Sequence, residues 1–285
     1  MDSNIFGGLE GLGISGLEGM SLFGEEAKAE EAKEVVKTPE QIEEEMLFDK
    51  TYECPVCGKS HKSRTVRTGK AKLVSMEYDL RQKFEGIEPL KYDVVSCVNC
   101  GFTATTKYFV PVTPAARKAL MEKIGNNFKP QAELKGIISY EQAVARYKLA
   151  LVNDMVKSAR TSEKAYTCLR AGWLCKSWED SLKAEGKQDS QEMATAKALA
   201  GDFIKNAYEG FVAAVSKESF PMCGMDESTV DYLIAALALE TGHFDVSSKM
   251  ISSILGSVSS SSRMKDKARE LKELLMATIK AAQNK

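Results

Sequence analysis

Apolar residues recur at helical spacing through the second half of the chain and at strand-like spacing only before it. Thr113-Pro114 reads as an N-cap with proline at the first helical position, where the missing N–H costs nothing. Ser139 with Gln142 reads as a capping box ahead of Tyr140, Val144, Tyr147 and Leu151, which share one helical face. Further helices are predicted near 162–185, 190–216, 227–241, 245–255 and 263–282. Gly186, Pro221 with Gly224, Gly242 and the serine run 257–262 separate them. Upstream, 91–97 and 105–112 are rich in β-branched and aromatic residues and read as strands. Val66 and Leu73-Val74 are expected to seed another hairpin.

The first 50 residues fit neither pattern. Residues 8–15 are echoed by 16–23, an imperfect Gly-Leu-Glu repeat, and acids then outnumber lysines to position 49. Glycine at this density makes regular structure costly, so a disordered tail is expected, with apolar positions a partner could grip. The chain therefore divides into a tail (1–50), a small β-rich zinc-ribbon-like module (51–112) and a tetratricopeptide-like antiparallel helical array (113–285). The fold class is mainly α.

At 285 residues and 44% hydrophobic content the chain can bury a real core. A net charge of −1 commits it to neither nucleic acid nor membrane. The start lacks a positive region and an apolar run, and no segment approaches the roughly 20 apolar residues of a membrane span. A cytoplasmic protein with no membrane partner is expected.

The candidate chemistry is in the cysteines. Cys54-Pro-Val-Cys57-Gly58 and Cys97-Val-Asn-Cys100-Gly101 are two copies of one device, in which two thiolates face one atom and a glycine allows the tight turn. Together they supply the closed tetrahedral set of a structural Zn2+ site, with no position left for a catalytic water. A thioredoxin-type redox pair would open a helix in a βαβ unit and would not need a second copy. His61 could replace one ligand, but with four cysteines in hand it reads as a surface residue. Cys168 and Cys175, seven apart on one predicted helix, read as buried apolar thiols. Cys223 has no visible partner.

Between Lys59 and Lys72 lie six basic residues and no acid. Arg64, Arg67, Lys70 and Lys72 are candidate phosphate contacts, with Tyr78, Phe84 or Tyr92 available to stack on bases. Strand alternation would split this set between two faces. A solvated surface, or one meeting the acidic stretch 40–45, is the simpler expectation. No phosphate loop, nucleophile elbow or His-Glu-x-x-His is present, so no enzyme is expected.

The two knuckles, the segment "TVRTGKAKL" and the approach "EGIEPLKYDVVSC" resemble a bacterial domain-of-unknown-function family. The resemblance covers most of residues 50–285 and implies a zinc-ribbon-type cysteine region followed by tetratricopeptide-like helices; it implies no activity. Tyr232 to Phe244 followed by Lys249 to Leu255 fits one repeat hairpin, with Ala235 and Ala238 on the packing side, Gly242 turning and Phe244 as lid. Residues 165–178 echo it weakly, Ser247 replaces the usual alanine, and the period is irregular. The expected function is a zinc-stabilised scaffold binding a protein or peptide; the alternative is nucleic-acid binding through the basic module.

Overall fold

The computed structural model describes residues 37–283, of which residues 39–283 belong to one compact unit. The expected boundary at 112/113 is no break in packing, because helices and hairpins share one core. Three separate two-stranded antiparallel hairpins come first. Strand β1 (Leu47–Glu53) pairs with β2 (Ser60–Val66), β3 (Leu73–Met76) with β4 (Gln82–Phe84), and β5 (Val94–Ser96) with β6 (Thr103–Thr105). Each cysteine knuckle is the turn of a hairpin, the first between β1 and β2, the second between β5 and β6.

Three upstream expectations are corrected. Residues 39–50 are ordered: helix α1 (Pro39–Glu45) leads into β1, whose Leu47 is buried against the core. Val66 and Leu73-Val74 belong to different hairpins, since Val66 pairs with Leu47. The strand expected at 105–112 stops at Thr105 and turns through a 3-10 segment, Thr106–Tyr108. A strand would send neighbouring side chains to opposite faces. Here consecutive aromatics both pack inward, Tyr108 edge-on to Tyr166 and Phe109 against Phe102 at 5.2 Å.

The helices follow. Helix α2 (Pro114–Leu120) is capped by Thr113 and continues into a π turn, Met121–Gly125. Helix α3 (Tyr140–Val156) starts at the Ser139–Gln142 capping box, both of whose hydrogen bonds are made. Helices α4 (Thr161–Ala184), α5 (Gln191–Val215), α6 (Glu227–Glu240), α7 (Phe244–Gly256) and α8 (Ser262–Gln283) then pack antiparallel in sequence. Helix α4 is buried on several sides, between α3, α5 and the 3-10 segment Pro89–Tyr92, which is why its sequence is only weakly amphipathic. At 24 and 25 residues, α4 and α5 far exceed the helices of a roughly 34-residue tetratricopeptide unit. The α6–α7 hairpin is closer to that pattern: Ala235 and Ala238 are fully buried and Gly242 turns at φ +80°.

Three apolar clusters hold the unit together. The largest joins Leu47, Leu90, Tyr92 and Val94 of the hairpin region to α3, α4, α5 and α6. A second lies between α6, α7 and α8. The third surrounds the cysteines and includes Phe102, Ala104 and Leu120.

Candidate metal centre

The hairpin register brings the two knuckles face to face. In each, the first cysteine's N–H closes the turn onto a carbonyl beyond it, Cys54 to Lys59 at 3.0 Å and Cys97 to Phe102 at 2.8 Å. Gly58 and Gly101 donate back to the carbonyls of Cys54 and Cys97 at 2.8 and 2.9 Å, with φ of +73° and +72°. That left-handed conformation suits glycine. At Gly101 a side chain would also collide with the Phe128 ring.

The four sulfurs of Cys54, Cys57, Cys97 and Cys100 lie within 4.8 Å of one another. Cys54 Sγ is 3.7 Å from Cys100 Sγ, and Cys57 Sγ is 3.7 Å from Cys97 Sγ. Ligands roughly 2.3 Å from a central ion lie about 3.8 Å apart at tetrahedral angles, so the set fits one metal ion. Cys54, Cys97 and Cys100 are buried and Cys57 is half-buried. The neighbouring Cys100 and Cys54 thiols push the Cys97 thiol down, while Cys100 is pushed up by Cys54 and Cys97. One negative charge is thus favoured and further ones resist, an imbalance that a cation relieves. Backbone N–H groups of Val56 and Cys57 face Cys54, and those of Asn99 and Cys100 face Cys97.

The helices hold the knuckles in place. Arg117 of α2 donates Nε–H to the Val56 carbonyl at 2.6 Å, and Asn153 of α3 donates to the Gly101 carbonyl at 3.2 Å. His61 is corrected: it is buried at 2% exposure rather than on the surface. The β1–β2 register sets it opposite Tyr52, and Phe109 covers it edge-on at 5.9 Å. It stands outside the four-sulfur cluster. Cys168 and Cys175 are buried in α4, where burial pushes both thiols up to about 12. Cys223, half-buried, donates to the Ser162 carbonyl at 3.2 Å.

The family model described as "Uncharacterized protein conserved in bacteria (DUF2225)" matches residues 47–275, from the first buried residue of β1 to the last turns of α8. The chain belongs to this family. No curated protein and no solved structure matches it. The matched span takes in both knuckles and every helix from α2 to α7. The matched region therefore takes in all three hairpins together with the helices packed on them.

The basic set does not form a stripe. Arg64 is 8% exposed and donates to Glu44 at 2.5 Å, to Asp49 at 3.2 Å and to the Gly136 carbonyl at 3.1 Å. Arg67 donates to the Leu47 carbonyl at 3.1 Å and lies over the Phe48 ring. Lys70 and Lys72 are exposed in the turn after β2, without ion pairs among the described residues. The acidic stretch meets the basic one at Arg64, and also through Glu43, whose carboxylate accepts from Lys91 and Tyr92, both at 2.7 Å. Arg64→Ala is therefore expected to lower stability by roughly 1–2 kcal/mol, the cost of a buried pair discounted for half-exposed partners. Urea unfolding checks it: an unchanged midpoint would mean Arg64 is not structural.

Proposed function

We propose that this chain is a zinc-stabilised protein-interaction scaffold of the cytoplasm, without catalysis, whose helical array takes a protein or peptide segment. Zinc is the metal that four thiolates in a closed tetrahedral set suit best, and such a set has no open position for substrate or water. Seven unpaired cysteines suit a reducing compartment. The observation that carries the interaction reading is a cleft of about 470 Å³ walled by β3 and β4, α4, α6 and α8. Met76, Met225 and Met264 line it beside Trp173, with Arg263 and Lys267 adding positive charge. Methionines adapt to irregular apolar partners, and an apolar segment carrying an acid matches this wall.

The test is capture from a native lysate with tagged wild type and Met264→Glu, each with and without nuclease. A discrete protein retained after nuclease by wild type, and reduced roughly tenfold or more by the variant, is expected. Recovery that collapses with nuclease, or that ignores Met264→Glu, overturns the reading.

A further inference from the structure

Arg146 of α3 is a cation in a poor setting. Its Nε donates to Ser96 Oγ at 3.3 Å, and its Nη2 donates to Ser63 Oγ at 3.4 Å and to the Val94 carbonyl. Nη1 is buried and has no hydrogen-bond partner among the described residues. Among the described residues no carboxylate is paired with the guanidinium, and burial pushes its pKa down to about 10. A buried polar hydrogen left without an acceptor, on a charge left without an opposite, is costly and uncommon.

Arg146 lines a cavity of about 340 Å³ between the second knuckle, β2, the 128–134 loop and α3. Its remaining wall is largely apolar, with Val98, Phe128, Leu134 and Leu149 prominent, and no acid is in the lining. Lys62 and Arg64 add two more cations. Arg64 is engaged by Glu44 and Asp49, whereas the Lys62 ammonium has no ion pair among the described residues. The nearest acid of the loop, Glu133, accepts the Lys62 backbone N–H at 2.7 Å.

We propose that this cavity binds a small amphipathic anion, with its carboxylate or phosphate head on Arg146 and its apolar body against Phe128 and Leu149. The volume falls in the range of small-molecule sites, and such sites combine apolar walls with a few placed polar groups. A carboxylate or phosphate head on the part of the guanidinium that faces the cavity supplies the negative charge that Arg146 lacks. The site is distinct from the methionine-lined cleft, which takes in neither Arg146 nor the 128–134 loop.

The experiment is calorimetric titration of the metal-loaded full chain with decanoate, decyl phosphate and uncharged decanol, all below micelle formation. Decanoate or decyl phosphate is expected to bind at least tenfold more tightly than decanol, and the stronger of the two identifies the head group. Arg146→Gln is expected to weaken that binding roughly ten- to a hundredfold, the value of a charged hydrogen bond. Ala132→Trp, at an exposed loop position in the lining, fills the cavity without removing a charge. It is expected to abolish binding with an unchanged melting temperature, and it decides the matter alone if Arg146→Gln does not fold. Absence of binding by both anions, equal binding of decanol, or binding indifferent to Ala132→Trp overturns the proposal.

Discussion

Cys97→Ser is expected to leave the chain without its metal and to unfold the region around both knuckles. Structural zinc sites contribute about 10–16 kcal/mol of apparent binding free energy, as much as the whole net stability of an ordinary domain. Cys97 is fully buried, and its sulfur lies 3.7 Å from that of Cys57 on the opposite knuckle. Serine there cannot complete the thiolate set, and three remaining sulfurs would repel wherever they ionise. The damage should spread along identifiable contacts. The cluster that holds the cysteines also holds Phe102, Ala104 and Leu120, so α2 loses its support. Asn153 loses the Gly101 carbonyl, so the end of α3 loosens. Helices α4 to α8 rest on the other two clusters and should keep their structure. Elemental analysis is expected to find one zinc per wild-type chain and none in the variant. Hydrogen exchange is expected to accelerate strongly over 47–66, 94–125 and 150–156 but little in α5 to α7. Wild-type protein that contains no metal, or a variant with unchanged exchange, would remove the metal centre from the account.

The parts of this molecule that are legible in its sequence are those decided by near neighbours. Both knuckles can be read because the cysteines, the turn glycine and the closing hydrogen bonds all lie within six residues. The caps of α2 and α3 can be read because a side chain at one position satisfies an N–H three residues on. What cannot be read is decided by distant partners. Leu47 is a core residue only because β1 pairs with β2 and lands against the large cluster. Glu43 looks like one acid of a charged run until Lys91 and Tyr92, some 48 residues away, fold onto it. His61 and Arg64 look like surface until Phe109 covers one and α1 and the Gly136 carbonyl engage the other. Arg146 gives no signal at all, since its partners are on β2 and β5 and its telling feature is an acceptor that is missing.

The two glycines of α5 should respond in opposite directions to the same substitution. Gly201 is exposed, and a Cβ there would meet nothing within 4 Å. Gly201→Ala is therefore expected to stabilise by about 1 kcal/mol, the helix-propensity difference alone. A Cβ at Gly210 would fall 2.7 Å from the Cβ of Ala165 and 3.3 Å from its Cα. Ala165 is itself buried on α4, and backbone cannot rotate aside as a flexible side chain can. The same contact recurs in reverse on α4, where a Cβ at Gly172 would fall 2.8 Å from Ile204 Cδ1 of α5. The two long helices thus approach each other through two glycines, one from each side. Overpacking of this kind costs about 1–3 kcal/mol, which outweighs the propensity gain. Gly210→Ala is expected to lower stability by roughly 1–2 kcal/mol, and Gly210→Val, which adds bulk and a β-branch, by about 3 kcal/mol. Urea unfolding of the four proteins side by side measures this directly. If Gly210→Ala were to stabilise as Gly201→Ala does, α4 and α5 would not be in the close contact described, and the central pair of the array would need to be redrawn.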